Sequence, residues 1–580
     1  MRRDYTARGQ LAATGWDDDG NNWWKKLAAY TYLPDGKVDH IDYGNGTSAN
    51  FGYDGRGFVS SVQQKRSGSG DVMASRTYTR DTRDRITSFQ KGNNPGVNPM
   101  ENGRGDRFRY DEEGQLVEGW YNATDPTSSG AGNTRYDGFT YDALGNRMGS
   151  NYVASRNQWM SFTRKDNGLN QYRAWMPYSY TNYDDDIGGT WGSPGAANGV
   201  LMQDGWVTAG YDALNQPMYI SSPTYHGTPN WMYFGYDPLG RCVKRWVGDS
   251  GDVYSNPATY YHYDGWNLLE EGGNAWGPER VYVHGNRVDE IVWSYKTFTG
   301  EQAYHHYDAR GHATLLTDGS GAILEQYEYD AFGWPYFFDA SGNAIGAYDP
   351  VQNLWEGYSQ FGNRFLFTGR EWLSELKLYD FRNRLYSPEL GRFMQPDQKE
   401  FAAGDYNLYR YCHNDPVNRS DPTGLISTIT VELQKLKTVL GSNIPQWVTT
   451  VRVGISGLFE AAKADHQDRT QSVFKDGSLS RITIGKIGTN HTMGRFERNK
   501  FRSEDIPLDA SHPLALILHI HNDIHNNATT KPSPLDAGAV IGYQVPMVFS
   551  SESLYSAGQG ILLTPRGQAY PNQVPIDLSR

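Results

Sequence analysis

Cysteine is nearly absent from the 580 residues: Cys242 and Cys412 are the only two. They stand far apart and form no metal-type spacing, which excludes a disulfide-framed scaffold and a cysteine zinc site. Long apolar runs are missing too. No stretch reaches the ~18 residues that a membrane helix needs, and the mean hydropathy is −0.69. The N-terminus, MRRDYTARGQLAATGW, opens with two arginines but has no apolar segment behind them. No secretory signal is therefore expected, and export would rest on another apparatus. Excess positive charge is lacking as well: the net charge is −12, which argues against a nucleic-acid footprint along the whole chain.

What the chain does have is unevenly spread. Residues 426–580 carry 15 Lys+Arg and 13 Asp+Glu, a net of +2, which leaves −14 for the first 425. Of 80 Phe, Trp and Tyr only 9 follow Leu425, a contrast well beyond ordinary variation in composition. Two different kinds of protein share one chain, and its length fits at least two structural units.

The first part repeats itself. Tyr-Asp pairs fall at Tyr53, Tyr110, Tyr141, Tyr211, Tyr236, Tyr263, Tyr307 and Tyr329, the closer copies 22 to 31 residues apart. Each copy is an alternating aromatic/polar run ending in Tyr-Asp, then turn residues, then a second alternating run, as in FTYDALGNRMGS. That pattern predicts a hairpin. One hairpin buries too little to be stable, so neighbours must pair edge to edge into a continuous sheet. The pattern resembles the Rhs/YD-repeat family, which implies a spiral β-sheet shell of hairpins enclosing a hollow. The repeat already runs at Arg3, and about 400 residues are few to close a cavity. A C-terminal piece of a longer chain is the expectation.

From Phe365 to Leu425 the periodicity gives way to FLFTGREWLSELKLYDFRNRLYSPELGRFMQPDQKEFAAGDYNLYRYCHNDPVNRSDPTGL. This stretch closely resembles the Rhs-associated core, from Thr368-Gly369-Arg370-Glu371 to Asn407-Leu408-Tyr409-Arg410-Tyr411 and the closing Asp-Pro-x-Gly-Leu. The resemblance implies a plug in the shell that cuts its own chain after the final Leu, at Leu425–Ile426. It also implies two aspartates acting in the manner of aspartic proteases. Two close carboxylates cannot both ionise, so one activates water while the other protonates the leaving amide. Asp397 matches the first aspartate. Asp421, Pro422 and Gly424 shape the substrate turn. The family places its second aspartate soon after the Arg-Glu pair, where this chain has Leu373; Glu375 and Asp380 are the nearest acids. Asp397, Asp421, Glu375 and Asp380 are thus the candidate acids of the core.

Residues 426–580 then become the cargo, an effector of domain size. TITVELQKLKTVLGS and WVTTVRVGISGLFEAAKADH have helical spacing, and strand-like runs follow at QSVFKDGSLSRITIGKIG, PLALILHIHND, VPMVFSSE and QGILLTP. The expected fold is a small α+β domain. His519 and His521 end an alternating strand and so share one face. Two imidazoles and the Asp536 carboxylate suit zinc and leave one position for a water nucleophile. His-x-His followed by Ser533-x-x-Asp536 resembles the JAB/MPN metallopeptidase signature, which implies a zinc-dependent hydrolase acting on protein. Asp468 stands where that family has its general-base Glu, with Glu460 eight residues earlier, and no Pro follows His521.

The reading is a mainly β chain in three parts: a YD-repeat shell over 1–364, a self-cleaving core over 365–425, and an effector over 426–580. Its implied partners are its own cleaved fragment, a secretion apparatus that delivers it to a target cell, and an immunity protein. Two rivals stand beside it. One is a cell-surface adhesion protein without catalysis. The other is a metal-dependent nuclease as cargo, against which the near-neutral charge and the lack of a basic aromatic stripe both count.

Overall fold

A computed structural model of the chain describes residues 2–17, 24–128 and 132–425, apart from stretches within 154–207 and at 226–227, 250–257, 274–276, 350–353 and 400–404. Beyond these it describes only seven strands after residue 427. The chain divides into two compact units, Met1–Leu33 with Val38–Thr428, and Pro34–Lys37 with Ile429–Arg580. Among the described residues there is no α-helix.

In the larger unit the alternating runs form two fourteen-stranded sheets in which each strand pairs with the next in sequence. The first runs from Arg2–Tyr5 to Tyr172–Met176 and the second from Asn182–Tyr183 to Pro335–Asp339. The Tyr-Asp pair explains why the meander is so regular, because each residue of the pair has its own task. The aspartate closes the turn: Asp54 Oδ1 accepts the N–H groups of Arg56 at 3.0 Å and Phe58 at 2.9 Å. Gly57, at φ +87°, completes that turn where a side chain would be strained. The tyrosine reaches back to an earlier strand. Tyr53 donates to the Val38 carbonyl at 2.6 Å, Tyr110 to Ile86 at 2.7 Å and Tyr329 to Ala313 at 2.8 Å. Its ring is half-buried or buried while its hydroxyl satisfies a backbone acceptor.

Alternation then decides the faces. Strand Val38–Tyr43 buries Ile41 and Tyr43 and exposes Asp39 and Asp42. What it buries against is the chain itself, returning after a long excursion. Tyr30 donates to Glu290 at 3.2 Å, Asn45 to Thr317 at 2.8 Å, Gln64 to the Tyr307 carbonyl at 2.9 Å and Asn98 to Gln326 at 2.6 Å. These partners lie 228 to 272 residues apart, so one lap of the winding sheet takes that length. Leu27, Tyr30, Ile41 and Tyr43 of the first lap share a core with Val281, Val283, Val292 and Tyr304 of the second.

The stretch after residue 364 folds back between the two sheets. Its own small sheet joins Glu371–Leu373, Leu378–Asp380, Leu385–Ser387 and Arg392–Phe393 in that order. Leu373, Leu376, Leu378, Leu385, Leu390 and Met394 share a core with Phe108 and Tyr121 of the first sheet, Phe139 just beyond its strand Arg135–Gly138, and Ile220, Met232 and Phe234 of the second. Each fully buried leucine contributes about 2 kcal/mol, so these residues tie the two sheets into one core. Buried ion pairs add direction. Glu371 pairs with Arg245 at 2.7 Å and Arg364 at 2.8 Å, and Arg364 also binds Glu271.

The smaller unit contains a six-stranded sheet in the order Thr483–Ile484, Arg469–Phe474, Leu514–His521, Met547–Ser551, Gln559–Thr564, Asn572–Asp577. Its pairs are antiparallel except for Leu514–His521 with Met547–Ser551, which is parallel. All four strand-like runs read from the sequence hold strands. The two helical segments expected over 428–466 lie outside the described residues, apart from Thr428 and Ile429, which are a short strand and not helix.

Candidate functional site

The chemistry at the end of the core starts with three buried charges. Asp397 is 6% exposed, Asp421 2% and Arg384 3%. Arg384 Nη2 lies 2.9 Å from Asp397 Oδ2 and 3.4 Å from Asp421 Oδ2, so one guanidinium bridges both carboxylates. The three residues come from three segments that the fold draws together. Arg384 stands in the turn just before the third strand of the small sheet, and its plane rests on the Phe393 ring at 3.6 Å. The Asp397 N–H donates to the Leu408 carbonyl at 2.8 Å, and Arg384 Nη1 donates to that same oxygen at 3.0 Å. That shared acceptor fixes the arginine against the acid.

Asp421 organises the Asp-Pro-Thr-Gly turn. Its Oδ1 accepts from Thr423 Oγ1 and from the Leu425 N–H, both at 3.2 Å. Gly424 sits at φ +69°, and a Cβ there would meet the Phe381 carbonyl oxygen at 2.4 Å. Glycine is required by both the backbone angle and the space. The carboxylate that shapes the turn therefore also faces the second acid.

Electrostatics follows from burial. Loss of hydration pushes the Asp397 carboxyl up to about 6, with Arg384 opposing the rise and Asp421 adding to it. Burial lowers the Arg384 guanidinium from its ordinary value against the pull of Asp397 and Asp421. Arg384 and the nearby Lys399 both act on the carboxylates, and burial still raises Asp397 toward its neutral form. One acid neutral and one ionised is the state needed for general acid–base hydrolysis of an amide.

The other acids named from sequence stand elsewhere. Glu375 is exposed and accepts from Ser374 Oγ at 3.1 Å. Asp380 accepts from the Arg382 N–H at 2.6 Å and lies near Arg370. Among the described contacts neither reaches Asp397. At the expected cleavage position, Leu425 and Pro422 are described and half-buried, while Ile426 lies outside the described residues. Arg384 went unremarked in the sequence, where it is one of several arginines in the core. It is the last of three successive polar residues, Arg382-Asn383-Arg384, between Phe381 and Leu385, so nothing in the sequence singles it out.

In the smaller unit His519 pairs in register with Thr470 on one side and Phe549 on the other, and His521 with Ser551. The two histidines hold alternate register positions on an interior strand. Asp468, Ser533 and Asp536 lie outside the described residues. Among the described residues no three His, Cys, Asp or Glu gather as a metal site.

No protein-family profile matches the chain. It is similar to the tRNA nuclease WapA of Bacillus subtilis strain 168, 27% identical over 409 residues, covering 68% of this chain and 14% of that protein. It is also similar to Salivary gland surface protein 1 of Aedes aegypti, 34% identical over 242 residues, covering 40% of this chain and 6% of that one. Among solved structures it resembles the Photorhabdus luminescens Tc holotoxin pore with a TccC3 mutation. There the TM-score is 0.55 and the identity 17%, over 74% of this chain and 20% of the other. These matches span at most a fifth of the other protein's length. The fold of the larger unit is thus an antiparallel YD-repeat β-shell of the kind seen in Rhs and Tc toxin proteins.

Proposed function

We propose that this chain is a toxin-type shell protein that cuts itself at Leu425–Ile426 and so frees residues 426–580 as an effector. The observation that carries the reading is the buried Asp397–Arg384–Asp421 cluster beside the Asp-Pro-Thr-Gly turn. Asp397, whose carboxyl burial raises to about 6, holds the proton, and Asp421 is the base. Asp421 takes a proton from water as the water oxygen bonds to the Leu425 carbonyl carbon. Asp397 gives its proton to the Ile426 nitrogen as the C–N bond breaks, leaving a carboxyl at Leu425 and an amine at Ile426. Similarity to WapA and to the Tc toxin fold supports a delivered toxin shell.

Denaturing gels and intact mass measurement of the purified full chain test this directly. Two fragments ending at Leu425 and beginning at Ile426 are expected, replaced by one full-length band in Asp397→Asn and Asp421→Asn. A wild-type chain that stays whole sinks the reading.

For the effector, the placement of His519 and His521 on one strand supports a zinc-dependent hydrolase of the JAB/MPN type, with Asp536 as third ligand and Ser533 and Asp468 at the reacting water. Zinc bound to the full chain in equal proportion, and lost in His519→Ala, is the expected result. A metal-free protein that degrades tRNA only with added magnesium would instead favour the nuclease suggested by the WapA match. A second reading of the whole chain, a surface interaction protein, is favoured by the similarity to the Aedes surface protein. That role has no use for a cut, so an intact chain supports it.

A further inference from the structure

Arg382, Asn383 and Arg384 follow one another in the turn between strands Leu378–Asp380 and Leu385–Ser387. Each side chain donates to one carbonyl of the turn before the cut, in matching order. Arg382 Nη1 reaches Pro422 O at 2.6 Å, Asn383 Nδ2 reaches Thr423 O at 2.9 Å, and Arg384 Nε reaches Gly424 O. All three acceptors are main-chain oxygens, so the three contacts are indifferent to the side chains of the turn. Shape is checked separately at Gly424, where the Phe381 carbonyl leaves no room for a Cβ.

The clamp is held at both ends. Arg382 is anchored by Asp289 of the shell, and its guanidinium lies 5.5 Å from the Trp266 ring centre. Arg384 is anchored by Phe393 and by the Leu408 carbonyl. Its Nη2 also bridges Asp397 and Asp421, so the clamp ends on the acids themselves.

We infer that Arg382, Asn383 and Arg384 form a main-chain clamp that positions the peptide bond after Leu425 against the two carboxylates. This rests on the cleavage reading above and adds to it the residues that set the register of the cut. Three evenly spaced donors allow one alignment of the chain, and a slip of one residue would leave the buried Arg384 donor without the Gly424 carbonyl. Placing the reacting bond in this way is a contribution distinct from acid–base chemistry. Arg382 and Asn383 are thus positioning residues, whereas Arg384 both positions the turn and touches the reacting acids.

Asn383 offers the cleanest test, because among the described contacts its exposed amide bonds to the Thr423 carbonyl and to neither acid. The full chain is made by cell-free translation, pulse-labelled, and followed on denaturing gels from pH 5 to 8. Fragment masses locate the cut. Asn383→Asp turns the donor into an acceptor facing the Thr423 carbonyl and is expected to slow cleavage about tenfold or more. The pH dependence and melting temperature should match the wild type. Asn383→Gln, which keeps an amide donor, should recover part of the rate. Cleavage of Asn383→Asp at the wild-type rate overturns the clamp, and so does a slowed reaction with a shifted pH profile, since the effect would then run through the acids. If Asn383→Asp melts lower, Asn383→Ala removes the donor without adding charge and is judged by the same outcomes. A wild-type chain that is never cut removes the cleavage reading itself, and the clamp with it.

Discussion

A buried carboxyl with a raised pKa is a proton donor only below that pKa, which makes Asp397 the residue to titrate. Burial and Asp421 hold its proton to about pH 6, while Arg384 opposes them. The sign follows. Above about pH 6 the donor ionises, both acids are charged, and cleavage should slow by about tenfold per pH unit. Arg384→Gln removes the opposing charge, so Asp397 keeps its proton to higher pH and the falling limb moves upward. Rates of chain cutting between pH 5 and 8 check both statements, and a flat wild-type profile would count against Asp397 as the donor. At this scale the sequence was only partly legible. Asp397 could be named from the core's resemblance at FMQPDQ, and Asp421, Pro422 and Gly424 from the closing motif. Arg384 could not, because bridging two carboxylates is a property of three segments meeting in space.

Among the elements, the Tyr-Asp hairpins were the most legible. Period-2 alternation and a turn-forming aspartate act within a few residues, so their signal is local and repeats along the chain. The core strands were harder to read, being only two or three residues long. They are held by what surrounds them. The strand Glu371–Leu373 is fastened to the shell through Glu371, which binds both Arg245 and Arg364. Those arginines pull the Glu371 carboxyl down to about 2 against the opposing effect of burial. Glu371→Gln leaves two arginines facing a neutral amide in a buried site and should lower stability by about 3 kcal/mol. A chemical denaturation midpoint of the full chain measures this, and a change near zero would mean that the pair only breaks even.

For the larger unit as a whole, the core segment is a structural keystone as well as the proposed reaction site. Its leucines complete an apolar cluster to which both sheets contribute. A chain ending at residue 364 leaves Phe108, Tyr121, Ile220, Met232 and Phe234 without those leucines. It should bind a hydrophobic dye, aggregate and lose its sharp melting transition, whereas a chain ending at Leu425 should keep it. Equal melting of the two would show that the sheets close without the core.

The sequence by itself determined the repeat, the all-β character of the shell, the break in composition after Leu425 and one acid of the pair, since each is written in local pattern or in a contiguous motif. Only the tertiary structure decided that the chain laps against itself after 228 to 272 residues and that Asp421 meets Asp397 across Arg384. It also decided that three successive side chains grip three successive carbonyls. The physical reason is one of range. Hairpin geometry is set by neighbours within a turn, while a shared guanidinium is set by where two sheets and a folded-back segment leave room for it.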